Sequence, residues 1–73
     1  MYRIYSTTRC PYCKSAKNYL DVRNLSYEEI IIDSQEVMDQ LSEELGYTPL
    51  TVPQIFHGAV HIGGYDDLRA TLK

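Results

Sequence analysis

The chain has 73 residues, and we expect residues 1–73 to form one small domain. Its net charge of −3 argues against a nucleic-acid partner. Its two cysteines are too few for a secreted disulfide scaffold, and no apolar run is long enough to span a membrane. Because no apolar leader follows Met1, we expect a cytoplasmic protein that contacts no membrane.

The first three predicted elements form a βαβ unit. Tyr2–Tyr5 is rich in β-forming residues and predicts a strand, and a helical pattern runs from Pro11 to near Arg23. The segment 27–32 predicts a second strand, and its β-branched run indicates a buried, central position in the sheet. A right-handed crossover would make these two strands parallel.

A helix, a β-hairpin and a short helix complete the predicted order. Asp33 and Glu36 have the spacing of a capping box, and Gly46 is the expected stop of the helix that follows. Two further strands are predicted at Gln54–His57 and 59–62, joined by a tight turn at Gly58. The last helix is predicted at Asp66–Leu72. This order predicts an α/β fold with one four-stranded mixed sheet and three helices.

The two cysteines lie in the segment Cys10-Pro11-Tyr12-Cys13, at the predicted strand-to-helix junction. Unpaired backbone N–H groups at a helix start stabilise a thiolate, which is the form that attacks disulfides. A second thiol one helical turn away can then displace the first from a mixed disulfide. A disulfide that closes so short a loop adds little stability. The pair therefore predicts thiol–disulfide exchange, with Cys10 as the nucleophile and Cys13 as the resolving thiol.

Charge is distributed unevenly along the chain. Residues 1–23 carry five basic residues and one acidic residue, whereas the remainder carries nine acidic residues against Arg69 and Lys73. Arg9 and Lys14 flank the cysteines directly, so we expect them to favour a thiolate or an anionic substrate.

A metal site is an alternative use of the cysteines. Together with His57 and His61 they form a C-x2-C…H-x3-H pattern, but the spacer of 43 residues is far longer than the roughly 12–15 residues of a zinc finger. The two histidines also fall in the predicted hairpin. We therefore predict no metal ligands in this chain.

Three motifs together resemble those of glutaredoxins, in the order and at the spacing of that family: Cys10–Cys13, Thr51–Phe56 and His61–Leu68. The resemblance covers the whole chain, and the chain resembles the compact, phage-type members of the family. It implies a thioredoxin-like fold and an enzyme that reduces protein disulfides and glutathione mixed disulfides. Glutathione would act as a co-substrate, and no tightly bound cofactor is implied.

The resemblance also implies a glutathione site. The Val52–Pro53 bond would be cis, and the backbone of Val52 would pair with the substrate. The start of the last helix would bind the γ-glutamyl carboxylate, an aspartate there would pair with the amino group, and Tyr12 would flank the glutathione sulfur. The implied glutathione-binding residues are Arg9, Tyr12, Thr51, Val52, Pro53, Gly64, Tyr65, Asp66 and Asp67.

One departure from the family pattern concerns Thr7, which stands where many glutaredoxins carry a lysine that binds the glycyl carboxylate. Arg9 or Lys14 would substitute for that lysine, or the affinity for glutathione would be weaker. Recharging by thioredoxin reductase therefore stays open. An iron–sulfur cluster bridging two copies also stays open, although Pro11 disfavours it. We expect a monomer whose partners are glutathione and disulfide-containing proteins. The family resemblance suggests ribonucleotide reductase as one such protein.

Overall fold

Residues 1–72, the part of the chain that this computed structural model describes, form four strands and three helices. The elements are β1 (Tyr2–Ser6), α1 (Pro11–Val22), β2 (Tyr27–Ile31), α2 (Gln35–Leu45), β3 (Gln54–His57), β4 (Val60–Gly63) and α3 (Tyr65–Thr71). The predicted order of a βαβ unit, a β-hairpin and a helix is confirmed. None of the helices in this part of the chain combines the length and the apolar character needed to cross a bilayer.

The four strands form one mixed sheet in the order β2-β1-β3-β4. β1 pairs in parallel with β2, as the crossover predicted, and antiparallel with β3, which forms the hairpin with β4. The prediction that β2 is buried and central is wrong, because β3 returns to the free side of β1 and leaves β2 at an edge. Glu28 and Glu29 of β2 are accordingly exposed, and its isoleucines are only half-buried.

The sheet buries a different apolar cluster on each face, because alternate side chains of β1 point to opposite sides. The larger cluster packs α1 and α3 against the sheet and contains Tyr2, Ile4, Ala16, Leu20, Ile55 and Leu68. The smaller cluster packs α2 on the other face and contains Tyr5, Leu41 and Phe56. The helix that packs on the larger cluster, α1, is therefore the one that starts at the cysteines.

Arg3 ties α2 to the sheet on the side of the smaller cluster. Its guanidinium donates to both carboxylate oxygens of Glu44, at 2.6 and 3.0 Å, and lies 4.8 Å from the centre of the Phe56 ring. This contact lowers the pKa of Glu44 and raises the pKa of Arg3. A bidentate pair of this kind joins residues 41 positions apart in the sequence.

The start of α2 differs from the prediction. The N-cap is Ser34, whose hydroxyl accepts the backbone N–H of Val37 at 3.3 Å, so the predicted capping box of Asp33 and Glu36 is wrong. The helix begins one residue later than that box requires, which brings Ser34 into the capping position. Gly46, with φ of +84°, ends the helix as predicted.

The last helix begins at Tyr65 instead of the predicted Asp66, and its N-cap is Gly64. The carboxylate of Asp67 accepts the Gly64 N–H at 3.0 Å, so Asp67 supplies the capping carboxylate. Gly63, with φ of +121°, turns the chain from β4 into this helix. Leu68 is buried, as predicted, and packs α3 against the sheet.

Candidate active site

The sulfur of Cys10 lies between a backbone donor and a backbone acceptor. Cys10 is the N-cap of α1, and its Sγ accepts the backbone N–H of Cys13 at 3.1 Å. In the thiol form the same sulfur donates to the carbonyl oxygen of Val52 at 3.6 Å. The helix start therefore supplies a donor that persists when Cys10 ionises, as expected from the position of Pro11 at the first turn.

Cys13 occupies a different environment from Cys10. Cys13 is 1% exposed and Cys10 is 7% exposed, so Cys10 is the more accessible of two buried thiols. Burial raises the pKa of Cys13 to about 12, with a further contribution from the sulfur of Cys10 beside it. Cys13 therefore keeps its proton at neutral pH while the pair is reduced.

A cavity of about 260 Å³ lies beside Cys10, between the loop before β3 and the start of α3. Its lining contains all but one of the residues predicted to bind glutathione: Tyr12, Thr51, Val52, Pro53, Gly64, Tyr65, Asp66 and Asp67. The Val52–Pro53 bond is cis, as predicted. We call this space the α3 cavity. Residues that lie far apart in the sequence thus meet beside the sulfur of Cys10.

The α3 cavity combines backbone donors with carboxylates. Two aromatic rings stand at its side, Tyr12 and Tyr65, with centroids 6.3 Å apart. A Cβ atom on Gly64 would lie 3.7 Å from the carbonyl oxygen of Pro53, so the two walls approach each other closely there. The exposed carboxylate of Asp66 belongs to the lining and lies 3.8 Å from the guanidinium of Arg69. N–H groups beside carboxylates suit a ligand that carries both a carboxylate and an ammonium group.

Arg9 is the predicted glutathione-binding residue that the α3 cavity does not include. It lines a second cavity of about 290 Å³ together with Thr8, Cys10, Pro11 and Lys14. We call this space the basic cavity. Within residues 1–72, neither Arg9 nor Lys14 forms an ion pair. Cys10 therefore belongs to the lining of the basic cavity and contacts Val52, a wall residue of the α3 cavity.

An ion pair behind the cysteines was not predicted from the sequence. Lys17 lies 2.8 Å from the carboxylate of Glu29, and the same oxygen accepts the hydroxyl of fully buried Ser6 at 2.7 Å. These contacts lower the pKa of Glu29 and raise the pKa of Lys17. The negative charge of Glu29 also helps to raise the pKa of Cys13. Lys17 of α1 and Glu29 of β2 belong to separate elements, so no local pattern in the sequence indicated the pair.

The two histidines of the alternative metal pattern contact other residues. The ring of His57 stacks on Tyr2 with centroids 4.2 Å apart, and His61 Nε2 lies 2.8 Å from Oε1 of Gln54. In the described residues no three side chains of the metal-ligating types come together.

Comparison with known proteins gives one consistent family. The sequence profile named Glutaredoxin matches residues 3–62. The chain is 44% identical over 68 residues to a glutaredoxin of Pseudomonas aeruginosa, which covers 92% of this chain and 79% of that protein. It is 44% identical over 68 residues to glutaredoxin 3 of Escherichia coli K12, covering 92% of this chain and 80% of that protein.

Solved structures agree with these sequence matches. Glutaredoxin 1 from Francisella tularensis, complexed with cacodylate, superposes with a TM-score of 0.81 at 34% identity, over 97% of this chain and 90% of that chain. A buckwheat glutaredoxin–glutathione complex superposes with a TM-score of 0.82 at 29% identity, over 97% of this chain and 66% of that chain.

Proposed function

The chain belongs to the glutaredoxin family and is a thiol–disulfide oxidoreductase, and on that premise we propose that glutathione is the reductant that restores its two thiols. The observation that carries this proposal is the α3 cavity, where eight residues from three separate segments meet beside Cys10. The buckwheat relative, which has the same fold, was solved as a complex with glutathione.

The proposed reaction begins with attack by the Cys10 thiolate on a substrate disulfide. A bond forms between Cys10 and one substrate sulfur, and the other substrate sulfur leaves as a thiolate that takes up a proton. Cys13 then loses its proton, attacks the sulfur of Cys10 and releases the second substrate thiol. The substrate gains two electrons and two protons, and the enzyme is left with a Cys10–Cys13 disulfide.

Two glutathione molecules would then reduce the enzyme. The first attacks Cys10 and forms a mixed disulfide, which frees the Cys13 thiol. The second attacks the glutathione sulfur of that mixed disulfide, so glutathione disulfide leaves and Cys10 returns to the thiolate. Glutaredoxin potentials of roughly −200 to −230 mV lie within reach of a cytosolic glutathione pool, so we also propose a cytoplasmic location.

Recognition of glutathione would use both walls of the α3 cavity. The backbone of Val52 would pair with the cysteinyl residue of glutathione, as in the addition of a short strand. Backbone N–H groups at the start of α3 would bind the γ-glutamyl carboxylate. The carboxylate of Asp67 already accepts the Gly64 N–H, whereas the exposed carboxylate of Asp66 lies 3.8 Å from exposed Arg69, too far for a hydrogen bond, so Asp66 is the better partner for the γ-glutamyl ammonium group.

The proposal is tested by glutathione titration in the reduction of a mixed disulfide between glutathione and 2-mercaptoethanol. Asp66→Asn should raise the Michaelis constant for glutathione several-fold, because one exposed ion pair contributes about 0.2–1 kcal/mol. Asp39→Asn on α2 is a control with the same loss of charge. Thr7→Lys should lower the constant, since it supplies the cation that the family usually has there.

A parallel assay with NADPH and thioredoxin reductase separates the alternatives. Saturable turnover with glutathione supports the proposal. Turnover with thioredoxin reductase, combined with no saturation by glutathione, would contradict it and favour recharging by that enzyme instead.

Substrate range follows from the two cysteines. Cys13→Ser should retain activity on glutathione mixed disulfides, because glutathione itself resolves that intermediate. The same variant should lose much of its activity on protein disulfides, which need an internal thiol for fast release. We propose that residues 1–73 act as one monomeric domain on protein disulfides, with ribonucleotide reductase as a protein to be tested.

A further inference from the structure

We infer that the basic cavity is a docking site for acidic residues that flank the disulfide of a protein substrate. The two cavities around Cys10 differ in charge: the α3 cavity carries Asp66 and Asp67, and the basic cavity carries Arg9 and Lys14. Docking at the basic cavity rests on the proposed activity toward protein disulfides, but not on the use of glutathione as reductant.

The cations of the basic cavity are available to a partner. Arg9 and Lys14 are exposed, and they pair with no carboxylate within residues 1–72. Two nearby cations are engaged differently: Lys17 of α1 pairs with Glu29, and Arg23, directly after α1, lies 3.5 Å over the ring of Tyr19. Two unpaired cations thus lie beside the nucleophilic sulfur.

The position of Cys10 links the two cavities during the reaction. Its sulfur contacts the carbonyl oxygen of Val52, a wall residue of the α3 cavity, at 3.6 Å, and Cys10 itself lines the basic cavity. A substrate cysteine that bonds to Cys10 is therefore adjacent to both cavities. Residues of an extended segment follow one another at about 3.3 Å, so the neighbours of that cysteine would fall at the basic cavity, which Arg9, Cys10 and Lys14 line together.

Charge decides which residues are favoured at these positions. A glutamate or aspartate beside the bonded cysteine would be attracted by Arg9 and Lys14, and a lysine there would be repelled by them. The site therefore favours acidic flanks at the basic cavity.

The test uses three peptides that differ only in the residues on both sides of a single cysteine: glutamate, glutamine or lysine. Each peptide is activated as a mixed disulfide with 2-thiopyridine. Cys10 attacks the peptide sulfur, 2-thiopyridine leaves, and its absorbance gives the rate. Cys13 then displaces the peptide thiol and forms the Cys10–Cys13 disulfide. The protein starts fully reduced and glutathione is absent, so a single turnover is measured.

The glutamate peptide should react about fivefold faster than the glutamine peptide at low salt, and the lysine peptide should react more slowly. The preference should shrink at 1 M salt, where exposed charges are screened. Arg9→Gln combined with Lys14→Gln should bring the ratio of the glutamate-peptide rate to the glutamine-peptide rate close to one. Arg9→Glu combined with Lys14→Glu should bring that ratio below one. Arg23→Gln, at the other end of α1, should leave the ratio unchanged. Rates are compared as ratios to the glutamine peptide, which cancels any change in the reactivity of Cys10.

A parent protein that reacts equally with all three peptides would overturn the inference, as would an unchanged ratio in the doubly substituted variant. The outcome is separable from the glutathione proposal. A charge preference in single turnover without saturation by glutathione in steady state would leave the docking site standing and remove glutathione as the reductant. Glutathione-dependent turnover without a charge preference would do the reverse.

Discussion

The buried thiol of Cys13 should limit alkylation of the reduced protein to one of its two sulfurs at pH 8. With a pKa of about 12, Cys13 is ionised to about one part in ten thousand at that pH. An ordinary thiol with a pKa near 8.5 is about one quarter ionised. Since the thiolate is the reacting form, Cys13 should react more slowly than an unfolded cysteine by a factor on the order of a thousand.

Cys10→Ser isolates the behaviour of Cys13. The substitution removes the contribution of the Cys10 sulfur to the raised pKa, but it leaves burial, which is the largest cause. Labelling by iodoacetamide, followed by mass spectrometry, should rise about tenfold for each pH unit from 7 to 10 without a plateau. The same variant unfolded in urea should reach its plateau just above pH 8.5.

The matched variant Cys13→Ser should label readily through Cys10, which would show that the reagent reaches the site.

The raised pKa of Cys13 also predicts the sign of the effect of pH on stability. The folded state favours the protonated thiol, so this contribution is complete below about pH 8.5 and is lost as the pH rises toward the folded value. Alkylation of folded Cys10→Ser at the unfolded rate at pH 8 would refute the reasoning.

Three further substitutions probe the surroundings of the site. Glu29→Gln removes the partner of Lys17 and should lower the unfolding free energy in urea at pH 7 by about 1 kcal/mol. Because the pKa of Glu29 is lowered in the folded state, this difference between parent and variant should shrink in acid and vanish once Glu29 is protonated in the folded protein. Ser34→Ala removes the cap of α2 and should cost about 1 kcal/mol in the same assay without changing turnover. Gly63→Ala forces a side chain into positive φ and against the carboxylate of Asp67, so it should cost about 1–3 kcal/mol and raise the Michaelis constant for glutathione.

Each of these expectations can fail in a distinct way. A Glu29→Gln deficit that persists at pH 2 would mean that lost packing, and not lost charge, explains it. A wild-type stability for Ser34→Ala would restore Asp33 as the effective cap. An unchanged Michaelis constant in a destabilised Gly63→Ala variant would separate the start of α3 from glutathione binding.

Local signals in the sequence predicted most of the fold. The strand β1, the start of α1 at Pro11, the stop of α2 at Gly46 and the hairpin turn at Gly58 each depend on the chemistry of neighbouring residues. The residues lining the α3 cavity could be predicted because three short motifs carry the family resemblance. Motifs report which residues a family uses, and eight of the nine predicted residues do lie together.

The errors concern relations between distant segments. A β-branched run fits an edge strand packed on one face as well as it fits a central strand, so the position of β2 depended on where β3 would pair. The Arg3–Glu44 and Lys17–Glu29 pairs join separate elements and leave no local pattern. Arg9 directly precedes Cys10 in sequence, yet it lines the basic cavity and not the α3 cavity.

The unequal burial on the two faces of the sheet has a consequence for local unfolding. α1 contributes Cys13, Ala16 and Leu20 to the buried residues, whereas α2 contributes only Leu41. A helix anchored by one buried side chain and a salt-sensitive contact to Arg3 should detach from the sheet at a lower free energy than α1. Its amides should exchange with deuterium first, most readily at high salt, while the cysteines and both cavities stay folded. Substitutions on α2 should therefore disturb the redox chemistry less than substitutions on α1, which begins directly after Cys10.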